Sequence, residues 1–337
     1  MSKIKPSTIR WPEDWTMEQV GMSQSLWAKW LGCKRQFLLH INGYSQPLRE
    51  NKVHFGNLCH HVCDKVFSCG TCPGTKQIGD MVDEYTEIRI KASTLLTQQE
   101  LEMDATKAHA VMTVYFERYE SDFKNKKFLS AERGFVAKFS GCTQRGKIDV
   151  DYLSNAKKWL MEHKTKGRIN EDNILLRLPL DFQNLFYLLN DEIISGTLAE
   201  GVLYDVIRNP QLKIGKNESL RAFFARILET CRADHDHHFK RWESAYSKTD
   251  HSQFRLELAR HIQELKTLTG HEVAPNRFNC DGQWTCEFLE ACSKDSMAPL
   301  SKSIDEQLGY IFPELKEVNY GSKTNSRKVV KTAVRRK

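Results

Sequence analysis

Residues 146–187 read GKIDVDYLSNAKKWLMEHKTKGRINEDNILLRLPLDFQNLFY. An acid lies on one apolar run, Asp149 in GKIDV, and Glu162-His163-Lys164 closes a second, WLMEHK. Successive side chains of a strand alternate faces, so Glu162 and Lys164 point one way and His163 the other. If the two runs pair, Asp149, Glu162 and Lys164 meet at one point. Two carboxylates suit a hard divalent cation, and a lysine beside them can orient or activate a water against a phosphodiester. Three residues alone are equally compatible with an exposed, salt-bridged hairpin, so the surrounding chain decides the reading.

At 337 residues, with 40% hydrophobic and 10% aromatic content, the chain has material for one elaborated α/β domain or for two. No apolar run reaches the length of a membrane span, because Arg177, Pro179 and Asp181 interrupt ILLRLPLDF. The opening MSKIKPSTIRWPEDW has no apolar signal core, which predicts a cytoplasmic protein. The net charge of +7 is matched by seven basic residues in 322–337, Lys323, Arg327, Lys328, Lys331, Arg335, Arg336 and Lys337, with no acid among them. Such a tail adds nonspecific affinity for nucleic-acid phosphates or simply solubilises the chain. Ten cysteines in a cytoplasmic chain argue for metal or cluster ligation rather than disulfides.

Residues 22–44 read as a helix capped by Ser23 or Ser25, and 53–67 as another, with Gly56, His60 and Asp64 on one face. Cys69 and Cys72 stand at C-x-x-C spacing after Cys59 and Cys63, a group that could hold zinc, although Cys59 and Cys63 share their helix with His60. Residues 76–125 read as one or two amphipathic helices. Strands follow at 128–139, 146–153 and 158–165, the last two joined by the turn SNAK. Asp151 shares a face with Asp149 and reads as a solvent-facing acid or an accessory ligand. After a polar loop a helix begins near 179, placing Gln183 and Tyr187 at i and i+4. A strand at 201–207 precedes helical stretches at 217–246 and 251–269. His235, His237 and His238 read as solvated histidines at a helix end. Cys280, Cys286 and Cys292 are evenly spaced, and thiolates of this kind take zinc or an iron–sulfur cluster.

Taken together, these motifs resemble the PD-(D/E)xK nuclease superfamily, in its RecB-like exonuclease branch with a cysteine-held 4Fe–4S cluster. Gly56-x-x-x-His60 is similar to that family's upstream metal-ligand helix, Gly146-x-x-Asp149 to its aspartate strand, and Glu162-x-Lys164 to its E-x-K strand. Gln183-x-x-x-Tyr187 resembles the helix that marks the branch. Cys33 with Cys280, Cys286 and Cys292 resembles the split cluster site, though with C-x5-C where relatives often carry C-x-x-C. The likeness runs from about residue 22 to 295.

The resemblance implies an α/β fold with a mixed central sheet flanked by helices, helical additions and an iron–sulfur-stapled C-terminal segment. It divides the chain into an N-terminal helical segment with Cys33 (1–49), a helical region with His60 (50–125), the nuclease core and following helices (126–275), the cysteine segment (276–300), and a C-terminal segment with the basic tail (301–337). It implies Mg2+ or Mn2+ held by His60, Asp149 and Glu162, with Lys164 acting on water, Gln183 and Tyr187 positioning DNA or bracing the lysine, and a largely structural cluster. The implied activity is DNA exonuclease cleavage in phage or bacterial recombination, repair or DNA processing, with a helicase or single-strand annealing protein as a candidate partner and no membrane association. The competing reading is a catalytically inactive or zinc-containing nucleic-acid-binding subunit.

Overall fold

The computed structural model describes residues 5–45, 50–91, 96–280 and 286–302; the basic tail lies outside them. In chain order the elements are α1 (Gln24–Gly32), α2 (Lys34–Ile41), β1 (Tyr44–Ser45), α3 (Glu50–Cys69), α4 (Thr75–Lys91), α5 (Gln98–Arg118) and the single turn α6 (Asp122–Asn125). Then come β2 (Lys127–Phe139), β3 (Cys142–Ser154), β4 (Lys157–Lys166), α7 (Glu171–Arg177), α8 (Phe182–Ser195) and β5 (Gly201–Arg208). The chain continues through α9 (Leu220–Ala233), α10 (His235–His238), β6 (Phe239–Ala245), α11 (Lys248–Leu268), α12 (Leu289–Lys294) and β7 (Ser301–Lys302). This is the mixed α/β architecture that the motifs imply. None of the helices described is long and apolar enough to cross a membrane.

Five strands form one sheet in the order β2-β3-β4-β5-β6. Strand β4 runs antiparallel to β3 and parallel to β5, and β5 runs antiparallel to β6. The parallel pair needs a crossover, which α7 and α8 supply. Central β4 is buried from Leu160 to His163, and α3 and α5 cover the sheet with Leu58, Val62, Val66, Val111 and Tyr115 in one core with Val150, Met161 and Ile207.

The chain divides into two compact units, residues 47–133 with 148–257, and residues 1–46 with 134–147 and 258–337. The former holds most of the sheet and its helices. In the latter, Trp11, Trp15, Trp30 and Phe37 cluster with ring centroids 5.3–6.1 Å apart. There the N-terminal segment also meets the C-terminal one. Trp11 donates to the His271 carbonyl at 2.9 Å, Lys29 pairs with Glu287 at 3.3 Å, and Ser7 bonds Asp295.

Several expectations need correction. The helix expected over 22–44 is broken at Cys33, which adopts extended backbone (φ −159°, ψ 114°) between α1 and α2, while Ser23 is the N-cap of α1. The polar loop before Gln183 contains α7, capped by the Asn170 side chain, and α8 starts only at Phe182, capped by Asp181. The helical stretch expected over 217–246 ends at Ala233, and its last third is strand β6. FKRWESA has ordinary helix formers, but Phe239 through Ala245 pair along β5, and tertiary pairing overrides a weak local propensity. His238 is buried against this strand rather than solvated.

The β3–β4 turn is a two-residue loop in which Asn155 (φ 49°) and Ala156 (φ 61°) both take left-handed backbone, the type I′ pattern of tight hairpins. Alanine is disfavoured there, so Ala156→Gly is expected to raise stability by about 1 kcal/mol, read as a shift in urea midpoint.

Candidate active site

The register pairs Val150 with Met161 and runs to Ser154 with Lys157. On the other side of the Val150–Met161 pair, the backbone N–H of His163 donates to Asp149 Oδ2 at 2.8 Å. Asp149 and Glu162 are thereby brought together where the hairpin opens. Alternation puts Glu162 and Lys164 on one face, and Lys164 Nζ donates to Glu162 Oε1. Gln183, in the first turn of α8, joins both: Lys164 donates to its Oε1 at 2.9 Å, and its amide donates to Glu162 Oε1 at 2.6 Å and to Tyr187 Oη at 3.2 Å. The i, i+4 spacing makes the last contact local to one helix face.

His60 reaches the same place from α3. Its Nδ1 lies 3.7 Å from Asp149 Oδ2. Gly56 makes this approach possible, because a Cβ there would stand 2.8 Å from Thr165 Oγ1 on β4. One turn after that close contact, His60 faces the carboxylates.

The structure adds a residue that the pattern of β2 hides. Glu132 carries left-handed backbone (φ 45°) inside the strand, and its carboxylate lies 3.8 Å from His60 Nδ1. A strand residue with positive φ breaks the alternation and re-aims its side chain, as a bulge does. The available signal is Gly134 within an otherwise strand-like run, a mark of such irregularity. The next residue, Arg133, is held by Asp191 of α8 and lies 3.5 Å from Asp151. Lys158 lies 2.8 Å from both Asp191 oxygens. Asp151 is therefore neither solvent-facing nor an accessory ligand: it is 5% exposed, accepts from Ser130, and belongs to this ion cluster.

His60, Glu132 and Asp149 present ligand atoms within 4.8 Å of one another, the one such group of His, Cys and acidic residues among those described. The electrostatics fit a cation. Glu162 is 3% exposed and its Oε2 is buried without a hydrogen-bond partner. Burial first, and then the Asp149 charge, push the Glu162 carboxyl up to about 7. Burial likewise raises Asp149. His60 is driven down by burial, yet the Asp149 and Glu132 charges outweigh this and lift it to about 9. Burial also opposes a charged Lys164, but Glu162 beside it holds the lysine as an ammonium.

A family model described as the PD-(D/E)XK nuclease superfamily matches residues 21–293. The chain belongs to that superfamily. A search of curated proteins returns no match. Among solved structures, the crystal structure of protein VC1899 from Vibrio cholerae is 12% identical over 65% of this chain, with a TM-score of 0.20, and this chain covers 58% of that one. The family that this model describes is a superfamily of nucleases.

The four cysteines of the expected cluster site all lie in the unit that joins the chain ends. Burial raises the Cys286 and Cys292 thiols, and each also feels the charge of Cys33, but no three of these sulfurs lie within 4.8 Å of one another among the described residues. The backbone N–H of Asn276 donates to Cys33 Sγ at 3.3 Å, and the Cys280 thiol donates to the Asn276 carbonyl at 3.8 Å. Thiols are donors for a soft metal, and the described cysteines here are not drawn together into one ligand group. The alternative zinc group is not assembled. Cys59 and Cys63 are packed in the apolar core, where burial raises both thiols, while Cys69 is exposed and Cys72 donates to the Phe116 carbonyl.

A cation at His60, Glu132 and Asp149, beside Glu162, must displace protons, since ligands bind deprotonated. With Glu162 near 7 and His60 near 9, both raised, the metal-free site holds protons at acid pH and releases them as pH rises. Mn2+ affinity is therefore expected to strengthen from pH 6 to pH 9. Calorimetry in buffers of different ionisation enthalpy reads the proton release directly; pH-independent affinity contradicts this account.

Proposed function

We propose that the protein is a Mg2+- or Mn2+-dependent DNA exonuclease of the RecB-like branch, with a 4Fe–4S cluster on Cys33, Cys280, Cys286 and Cys292. The observation that carries the nuclease assignment is the half-buried group of His60, Glu132 and Asp149, with Glu162, Lys164 and Gln183 bonded to one another beside it. The exonuclease reading is supported by the resemblance of Gln183-x-x-x-Tyr187 to the branch helix and by that helix's contact with Glu162 and Lys164.

In this reading His60, Asp149 and Glu162 hold the cation, and Glu132 adds a fourth donor. The ion supplies Lewis acidity to the scissile phosphate and lowers the pKa of a water it holds. Lys164, kept as an ammonium by Glu162, orients the attacking water and balances negative charge that develops on the phosphate. Gln183 fixes the distance between Lys164 and Glu162 by bonding both. The protein would act in the cytoplasm of a bacterium or phage-infected cell, in recombination, repair or DNA processing, beside a helicase or annealing protein.

With Mn2+ and end-labelled linear DNA, Asp149→Ala, Glu162→Ala and Lys164→Ala are each expected to lower cleavage by about 10²–10⁴-fold, with circular dichroism unchanged. Undiminished cleavage by Lys164→Ala overturns the site, and equal digestion of closed circular DNA overturns the exonuclease reading.

The purified protein is expected to be brown, with iron and sulfide in equal amounts and the colour lost in Cys286→Ser. A colourless protein carrying stoichiometric zinc overturns the cluster.

A further inference from the structure

His163 belongs to both faces of the catalytic strand. Its backbone N–H holds Asp149, and its ring points away from Glu162 and Lys164. On that far face the register of three strands lines up His163 of β4 with Asp205 of β5, and Asp205 with Arg241 of β6. His163 Nδ1 lies 3.0 Å from Asp205 Oδ2. Arg241 Nε lies 3.2 Å from Asp205 Oδ1, and its Nη2 donates to Tyr115 Oη at 2.6 Å. Tyr115 donates in turn to Asp205, and Arg241 also pairs with Asp122. Phe67 of α3 stacks on the His163 ring, with centroids 5.4 Å apart and planes 15° from parallel. The His60 ring stands edge-on to it at 6.2 Å.

Asp205 is wholly inaccessible and His163 is 2% exposed. Burying an ion network of this kind is expensive, and apolar residues of similar volume often stabilise a fold as well. Stability therefore does not explain the row. Its geometry supplies another reason: every contact of the ring immobilises the one residue whose backbone N–H sets the Asp149 carboxylate.

We propose that the His163–Asp205–Arg241 row is a positioning device for Asp149, locking the His163 backbone so that its N–H fixes the carboxylate beside His60. Asp205 and Arg241 act through His163 and touch neither the cation nor the substrate. Outer partners that orient ligands commonly govern metal affinity. The inference rests on the cation-site reading above, and the measurement below separates failure of one from failure of the other.

The test uses full-length protein and Mn2+ alone, with binding followed by calorimetry and by the electron paramagnetic resonance of free and bound Mn2+. Asp205→Asn and His163→Phe are each expected to weaken Mn2+ binding roughly ten- to hundredfold. His163→Asn puts an amide nitrogen in the place of Nδ1 and is expected to restore binding to within a few-fold of the parent. Should Asp205→Asn fail to fold, His163→Phe decides, because it leaves the Asp205–Arg241 pair intact. Parental Mn2+ affinity in folded His163→Phe overturns the positioning role, even if its melting temperature falls. Absence of Mn2+ binding to the parent protein overturns the cation site and this inference with it.

Discussion

Mutual repulsion among three clustered carboxylates is the constraint around which one end of the sheet is built. Glu132, Asp149 and Glu162 converge on His60 from three different strands. Like charges at such range in a medium of reduced dielectric cost several kcal/mol unless neutralised. Lys164 offsets one of the three negative charges. With His60 neutral, the two that remain equal the charge of one divalent cation. Burial is the first cause of the raised Glu162 and Asp149 carboxyls, and the neighbouring carboxylate adds to it at Glu162. At His60 the Asp149 and Glu132 charges outweigh burial and hold it charged.

The scaffold solves the positioning problem by anchoring each of these side chains from its opposite side. Glu132 is fixed because its neighbour Arg133 is caught by Asp191, which Lys158 also grips. His60 is placed by the approach of α3 to β4 at Gly56. Gln183 reaches Glu162 and Lys164 because the Asp181 cap starts α8 two residues before it. These supports lie on strands and helices, not on loops, and a site mounted in this way is held more narrowly.

What was legible in the sequence follows from this arrangement. Asp149, Glu162 and Lys164 obey strand alternation, while His60, Gln183 and Tyr187 obey helical spacing; simple periodicity therefore reveals which of them share a face. Glu132 escaped because it enters the site by violating alternation. Asp205 and Arg241 escaped because their meaning depends on the order of β4, β5 and β6, and β6 itself has the composition of a helix. Asp151 looked like a candidate ligand by parity alone; of the basic side chains that claim it, Lys158 lies across the hairpin that SNAK marks, while Arg133 comes from β2, whose place beside β3 no local pattern announces.

The cysteines show the same distinction between composition and placement. Cys59 and Cys63 have the spacing of ligands on a helix, yet they face an apolar core beside Phe55, Val62 and Val66, where burial disfavours a thiolate. Burial there makes them inert, as it does for small hydrophobes. Cys286 and Cys292 are half-buried, share a neighbour in Cys33, and Cys292 has Arg35 at hand to favour its thiolate. Only the latter pair combines partial exposure with an influence that favours the thiolate, the backbone N–H of Phe288 at Cys286 and Arg35 at Cys292. That combination, more than the number of cysteines, separates a thiol open to a soft metal from one that packs.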